Sequence, residues 1–272
     1  GRVVCMGLAL LCGATRGSVA LGAEAELAAA GYRSLYTGQK TYNGVAILLR
    51  QDTVRLVEQV QLSLPGADEE QRRLVAATAD GLRIVCAYVP NGQAVGSEKY
   101  AYKMRWLAAF NEWLRGELQQ HPRLAVAGDF NIAPEPRDVH DPQAWAGQVL
   151  FSEPERAAFR ALLHLGLKDS FRLFEQPGRM FTWWDYRNQA FRRKNGLRID
   201  HILMSPELAA SCTCCTIDVD LRRLEQRQIT QLGRTALQPP VLHRLVAPQR
   251  DLSQFGNEAD ELDVPDYVDC LG

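Results

Sequence analysis

The sequence predicts an α/β fold in which two packed β-sheets are covered by helices. Three observations predict it: short apolar runs typical of buried strands, a hairpin signal at Asp80-Gly81, and one long amphipathic segment over 99–120. Chains with many strands and few helices bury their sheets by packing them together and adding helices outside. Since folds of this kind often reach this length as one unit, we expect a single domain over 1–225.

The first half of the chain alternates strands with turns until one long helix. Tyr42–Leu49 begins at a turn signal and continues as an apolar run, which predicts a strand. Arg73–Thr78 and Leu82–Val89 flank Asp80-Gly81, a pair typical of a two-residue hairpin turn. Lys99–Gln120 has apolar residues at helical spacing and therefore predicts an amphipathic helix.

The second half contains one further strand–helix pair and two strands around a basic segment. Leu124–Phe130 predicts a buried strand, and Pro154–Leu167 predicts a helix that Gly166 closes. Thr182–Tyr186 and Leu197–Met204 predict two strands that bracket a basic connection. Residues 226–272 show neither strand nor helix periodicity and include an acidic stretch, so we expect an irregular tail there.

Residues 128–131, Gly-Asp-Phe-Asn, carry the strongest functional signal that the residues give by themselves. They end the apolar run 124–127, and strand alternation predicts that Asp129 and Asn131 share one face. A carboxylate beside a neutral amide suits Mg²⁺ and a phosphate group. Gly, Asp and Asn also dominate turns, so an ordinary turn after a core strand stays open as the alternative.

Composition limits the classes of partner and compartment. The net charge of −1 means that any surface for nucleic acid must be local. Seven cysteines without regular spacing favour a reducing cytoplasm, and Cys212, Cys214 and Cys215 lack the second pair that a zinc finger needs. Val3–Cys12 followed by Ser18-Val19-Ala20 imitates a secretory signal, but no run reaches the roughly 18 apolar residues of a membrane span.

Four segments together resemble exodeoxyribonuclease III of the endonuclease/exonuclease/phosphatase superfamily. They are 84–92 (IVCAYVPNG), 128–134 (GDFNIAP), 183–187 (WWDYR) and 196–203 (GLRIDHIL), within a resemblance that extends from about residue 24 to 224. It implies a four-layer αββα sandwich of two mixed sheets flanked by helices. It also implies a DNA-repair phosphodiesterase, active as 3′-to-5′ exonuclease, abasic-site endonuclease and 3′-phosphatase. The implied cofactor is Mg²⁺ or Mn²⁺, and the implied partner of a monomeric enzyme is double-stranded DNA with abasic sites or 3′ ends.

The resemblance also implies roles for individual residues. Tyr88 matches the tyrosine that contacts the scissile phosphate, and Asp129 matches the carboxylate that handles the proton of the water or leaving group. Asn131 matches the amide that steadies the transition state, and Asp129 and Asn131 are the expected metal ligands. Asp200 is similar to the aspartate that orients a catalytic histidine.

The expected DNA contacts lie mainly in the basic connection. Basic and aromatic side chains that alternate can hold phosphates while a ring wedges against a base or an abasic gap; here they are Arg187, Arg192, Arg193, Lys194 and Arg198 with Tyr186 and Phe191. Trp184 is expected at the abasic deoxyribose, Trp183 in the core, and Lys103 on the phosphate backbone. A solvated basic loop is the alternative, since charge runs usually are solvated.

Both ends depart from the family pattern, which predicts that its first and last strands are lacking. Arg2–Met6 resembles the second family strand, but Gly7 and Leu8 stand where a Gln-Glu pair is expected. Residues 226–231 (QRQITQ) replace a Ser-Asp-His-Ala-Pro segment, and His243 has no adjacent Asp. Because a shifted reading frame across residues 228–230 can encode Asp-His, we hypothesise that a frameshift produced 226–272.

Two functional interpretations follow from these departures. The first is an active DNA-repair nuclease, and the second is an impaired or inactive DNA-binding remnant that lacks metal and catalytic residues. A phosphatase of the wider superfamily that acts on lipids or small molecules is disfavoured, because the 183–187 segment and the basic connection match the nucleases.

Overall fold

The computed structural model describes residues 8–12, 22–39, 43–67, 71–185 and 190–217. The strands of these ranges are β1 (Leu8–Cys12), β2 (Tyr32–Gly38), β3 (Gly44–Arg50), β4 (Val57–Gln61), β5 (Leu74–Ala79), β6 (Leu82–Tyr88), β7 (Leu124–Asp129), β8 (Lys168–Asp169), β9 (Trp183–Trp184), β10 (Gly196–Leu197) and β11 (Asp200–Met204). The α-helices are α1 (Gly22–Ala29), α2 (Glu98–Gln120), α3 (Pro142–Trp145), α4 (Glu153–His164) and α5 (Pro206–Ala209).

The strands of the described residues form two main sheets. One has three strands in the order β1-β3-β2, and the other has six in the order β4-β5-β6-β7-β11-β8, beside a short β9–β10 pair. β6 and β7 are parallel neighbours, whereas the other paired strands are antiparallel. A parallel pair needs a long crossover connection, and the 23-residue helix α2 supplies it.

The core lies on both faces of the six-stranded sheet. On one face, Val45 and Ile47 of β3 join Ile84 and Cys86 of β6 in one apolar cluster, so the two sheets pack together. On the other face, a second cluster joins the sheet to α2 and α4 through Trp106, Phe110, Leu114, Phe159 and Leu162. Because β6 and β7 are covered on both faces, their sequences are mainly apolar without alternation, apart from Arg83 near the start of β6 and Asp129 at the end of β7.

The structure confirms the main predicted elements. Asp80 and Gly81 both have positive φ, at 46° and 81°, and join β5 to β6 as a two-residue hairpin turn. α2 and β7 begin and end within two residues of their predicted bounds. The predicted helix 154–167 is shorter, since α4 ends at His164.

Other predictions differ from the structure or lie outside its described residues. The single strand predicted over 197–204 is divided into β10 and β11, because Arg198 turns into the interior between them. β1 occupies Leu8–Cys12, within the run that also imitates a secretory signal. Residues 2–6, Arg187, His243 and the predicted tail 226–272 lie outside the described residues, so the division of the chain at 225 stays a prediction. None of the described helices is both long and apolar enough to cross a bilayer.

Candidate active site

Three neighbouring strands bring Tyr88, Asp129 and Asp200 to one edge of the six-stranded sheet. Tyr88 is the last residue of β6, Asp129 is the last residue of β7, and the parallel register places them opposite each other. Asp200 begins the antiparallel strand β11 and is the register partner of Asp129 on its other side. The predicted catalytic residues of three distant sequence segments therefore stand in one row.

Asn131 joins this row through a turn and not through strand alternation. β7 ends at Asp129, and Asn131 has a left-handed backbone with φ 50°. The Asn131 backbone N–H consequently folds back to donate to Asp129 Oδ1 at 2.8 Å. The Asn131 amide nitrogen donates to Val89 O at 3.0 Å and to Asp129 Oδ2 at 3.2 Å. Asn131 thus holds both oxygens of the Asp129 carboxylate.

Glycine is required at position 128, just before Asp129. Gly128 has φ 145°, which lies in the region that side chains disfavour, and it is opposite Ala87 and His201 in the sheet. Gly, Asp and Asn favour turns, and a turn was the alternative interpretation of these residues. The turn is what brings Asn131 back to the Asp129 carboxylate. The two interpretations of residues 128–131 are compatible.

Lys103 is a buried residue that contacts the backbone of the site loops. Its side chain is 0% exposed and forms an ion pair with Glu155, so it has no surface with which to contact a DNA backbone. The prediction of such a contact is therefore wrong. The ammonium donates to the backbone carbonyls of Asn131 at 2.7 Å and of Asn91 at 3.2 Å. The Asn91 amide in turn donates to Asn131 Oδ1 at 3.0 Å.

Arg73 is a neighbour of the site that the sequence did not indicate. Its guanidinium lies over the Tyr88 ring, 4.8 Å from the ring centroid, and donates to Tyr88 O at 3.3 Å. A cation over an aromatic face is attracted to the ring and restricts its orientation. Burial lowers the pKa of Arg73 from its ordinary value, and the charge of Asp129 opposes that shift.

The Asp129 carboxyl group has a strongly perturbed acidity. Burial, followed by the negative charge of Asp200, raises its pKa well above the ordinary value for an aspartate. The Asn131 backbone N–H, Lys103 and Arg73 act in the opposite direction and favour the ionised form. A raised pKa makes the carboxylate a stronger base than an ordinary aspartate, which favours a role in general acid–base catalysis.

Arg198 and His201 belong to the interior and not to the site. Arg198 is 1% exposed and binds Asp138 and Asp169, so its predicted place in the DNA-binding cluster is wrong. His201 lies between Arg198, 2.9 Å from its Nδ1, and Ile132 O, 2.8 Å from its Nε2. Burial and the Arg198 charge lower the pKa of His201 to about 3, so it stays neutral and structural.

The basic connection presents exposed charge beside a tryptophan. Arg192, Arg193 and Lys194 are exposed, and Phe191 meets the half-buried Trp184 edge to face at 4.9 Å between centroids. Gly196 is required here, because a Cβ at this position would lie 2.5 Å from Trp184 Nε1. These contacts hold Trp184 against Phe191 and Gly196, beside the exposed charges of the basic connection.

The described residues do not by themselves make a complete magnesium centre. Asp129 and Asp200 offer hard oxygen ligands of the kind that Mg²⁺ prefers. Within the described ranges, however, no group of three or more His, Cys, Asp or Glu residues could hold a metal ion. The Asn131 amide, a predicted ligand, already uses its N–H groups on Val89 and Asp129 and its oxygen on Asn91.

The fold and the site define a class: a mixed α/β protein with a tyrosine, two carboxylates and an amide at a sheet edge, suited to phosphate ester chemistry. The chain belongs to the Endonuclease/Exonuclease/phosphatase family, which matches residues 10–228. It is 32% identical over 209 residues to exodeoxyribonuclease III of Haemophilus influenzae, covering 72% of this chain and 77% of the relative. Within the family the chain therefore groups with the exonuclease III-like DNA phosphodiesterases.

Solved structures agree with this assignment. A Neisseria 3′ phosphatase, NExo, bound to a product DNA hairpin superimposes with a TM-score of 0.77 at 38% identity over 89% of each chain. An AP endonuclease from Archaeoglobus fulgidus superimposes with a TM-score of 0.73 at 32% identity over 86% of this chain and 85% of that one. These similarities indicate a family of DNA-repair nucleases, and the family uses divalent metals.

Proposed function

We propose that the protein is a DNA-repair phosphodiesterase that acts as a 3′-to-5′ exonuclease and an abasic-site endonuclease. The observation that carries the proposal is the common register of Tyr88, Asp129 and Asp200 at one sheet edge, with Asn131 bonded to both oxygens of Asp129. The DNA hairpin bound to the Neisseria relative supports DNA as the partner. We further propose that the complete fold is a four-layer αββα sandwich.

The proposed reaction is an in-line attack of water on a DNA phosphodiester. A water oxygen forms a bond to phosphorus while the bond to the leaving 3′ oxygen breaks, and that oxygen takes up a proton. Asp129 accepts the proton of the water, for which its raised pKa suits it. The Tyr88 phenol donates to the phosphate as negative charge develops on its oxygens.

We propose Mg²⁺ or Mn²⁺ as the cofactor, with the Asp129 carboxylate and the second lone pair of the Asn131 amide oxygen as candidate ligands. A divalent cation would neutralise the developing phosphate charge. DNA is held by Arg192, Arg193 and Lys194 together with Arg187, while Trp184 packs at the abasic deoxyribose. Exposed Lys and Arg bind phosphates by releasing counterions, so this part of the affinity falls with salt.

A fluorescent duplex with one tetrahydrofuran abasic site tests the proposal in Mg²⁺ and in Mn²⁺. We expect cleavage on the 5′ side of the lesion and removal of 3′ nucleotides from a matched duplex. Asp129→Ala should lower the rate by about 10²–10⁴-fold, the contribution of one general base. Asp52→Asn, which alters an exposed carboxylate in another part of the chain, should leave the rate unchanged. Cleavage that survives Asp129→Ala unchanged would contradict the assigned chemistry.

A second candidate function is an impaired or inactive DNA-binding remnant. The incomplete group of metal ligands among the described residues and the leucine at position 8 favour it. The same duplex separates the two: binding at nanomolar to micromolar protein without cleavage in either metal supports the remnant, and turnover supports the nuclease.

A further inference from the structure

A buried ion pair lies beneath the row of site residues. Lys103 of α2 and Glu155 of α4 are both 0% exposed, and their charged groups are in direct contact. Removing two charges from water costs several kcal/mol per ion, so such a pair is weak support for stability compared with two apolar side chains. The contacts of the Lys103–Glu155 pair indicate a role in positioning the site loops.

The Lys103 ammonium connects two loops that begin at the site. An ammonium has three hydrogens, and its described acceptors are Glu155, Asn131 O at 2.7 Å and Asn91 O at 3.2 Å. The Asn91 loop follows β6 directly after Tyr88, and the Asn131 loop follows β7 directly after Asp129. One charged group therefore fixes the backbone of both loops.

Glu155 is itself held in one orientation. Its Oε1 accepts from Leu150 N at 3.0 Å, and its Oε2 accepts from Ser152 N at 3.0 Å and from the Ser152 hydroxyl. The Ser152 hydroxyl also meets the Tyr100 hydroxyl at 2.7 Å, which links α4 back to α2. The carboxylate is thus a fixed anchor for the ammonium.

The Lys103 stem is equally confined. A Cβ added to Gly92 would lie 3.1 Å from Lys103 Cδ, so the loop after β6 wraps closely around the stem. Gly92 has a φ of 93°, a backbone conformation that glycine adopts readily and that allows this close approach. The loop after β6 therefore packs directly against the Lys103 stem.

We propose that Lys103, anchored by Glu155, is a positioning residue that holds the Asn91 and Asn131 loops so that Asn131 fixes the Asp129 carboxylate. The link runs from Lys103 to the Asn131 carbonyl and from Asn131 to both Asp129 oxygens. This inference rests on the proposed function for its effect on turnover, while its effect on the loops is measurable without activity.

The chain offers a matched control in a second buried ion pair. Arg83 of β6 and Glu117 of α2 are 2.6 Å apart, with side chains 3% and 11% exposed. Arg83 lies near the start of β6, at the opposite end of the strand from Tyr88. Arg83→Met therefore removes a buried cation that also contacts helix α2, without touching the site loops.

Amide hydrogen exchange is the first test. Lys103→Met should speed exchange at least about 10-fold in peptides that cover residues 89–92 and 130–133, whereas Arg83→Met should leave these peptides unchanged. Equal acceleration of both loops in the two variants would overturn the proposal, because it would show only a general loss of stability. If the wild-type chain proves inactive, the proposed function fails, and exchange still decides whether Lys103 holds the loops.

Steady-state cleavage of the abasic duplex is the second test, run well below the melting temperature of either variant. Lys103→Met should lower kcat about 10- to 100-fold with KM changed less than about 3-fold, since small misplacements of reacting groups cost that much. In an Asn131→Ala background the same substitution should cost less than about 3-fold, whereas Arg83→Met should lower kcat by the same factor in both backgrounds. Independent, multiplicative effects of Lys103→Met and Asn131→Ala would overturn the proposal.

Discussion

Arg198→Met is expected to destabilise the fold and not to act mainly on DNA binding. The Arg198 guanidinium meets Asp138 Oδ1 at 2.7 Å and Asp169 Oδ2 at 2.7 Å, and its side chain is 2% exposed. Methionine keeps most of the stem volume but leaves Asp169, 8% exposed, without its cation, while Asp138 keeps its ion pair with Arg172. Breaking one buried ion pair costs about 3–5 kcal/mol, because the remaining charge is uncompensated.

This cost gives a measurable shift in melting temperature. A domain of this size loses about 2–4 °C for each kcal/mol, so Arg198→Met should melt about 6–20 °C below wild type. Urea denaturation followed by circular dichroism measures the free energy directly. The removal of the positive charge should also raise the pKa of His201 from about 3, because Arg198 is one cause of its low value.

Arg193→Met is the matched comparison from the exposed part of the basic connection. Arg193 is exposed, so we expect the unfolding free energy of the Arg193→Met variant to stay within about 0.5 kcal/mol of wild type. Its affinity for duplex DNA should fall, and the slope of log K against log salt should become shallower by about 1, as for the loss of one phosphate contact. A wild-type melting temperature for Arg198→Met, or destabilisation by Arg193→Met, would refute the reasoning.

Three further predictions concern the site and its support. Asn91→Ala removes a hydrogen bond to Asn131 and should lower kcat about 5- to 100-fold, the equivalent of roughly 1–3 kcal/mol, in the abasic-duplex assay. Gly92→Ala should destabilise the chain by more than about 1 kcal/mol in urea, because φ is 93° and Lys103 lies close. Because the pKa of Asp129 is raised in the folded protein, the folded state binds this proton more tightly than the unfolded state does. The contribution of Asp129 to stability should therefore decline as pH rises from about 4, its pKa in the unfolded chain, through its pKa in the folded protein. Asp200→Asn should weaken that decline, which urea midpoints measured across pH will test.

Local chemistry made a large part of the fold predictable. Asp80-Gly81 fixes the β5–β6 hairpin because both positions need positive φ, and adjacent strands then pair without long-range information. α2 was readable from its apolar spacing over 23 residues. β4 (Val57–Gln61) was not predicted, because its residues are partly or fully exposed and its pairing with β5 is interrupted by a register shift.

The predicted DNA contacts of Lys103 and Arg198 were wrong because both residues are buried. A basic residue is usually exposed, and its burial depends on partners that lie far away in the sequence. Lys103 meets Glu155 across 52 positions, and Arg198 meets Asp138 across 60. No spacing rule reports such pairs, which is also why Arg73 and Asn91 escaped notice as neighbours of the site.

The Asp129 carboxylate is held in place by hydrogen bonds from neighbouring protein groups. Asp129 and Asp200 are register partners whose like charges repel, yet the Asn131 amide and backbone N–H hold Asp129 in place. Asn131 is held in turn by Asn91 and Lys103. Because these contacts come from two loops and a helix among the described residues, those residues already preorganise the Asp129 carboxylate. The placement of the central carboxylate therefore follows from contacts within the described core.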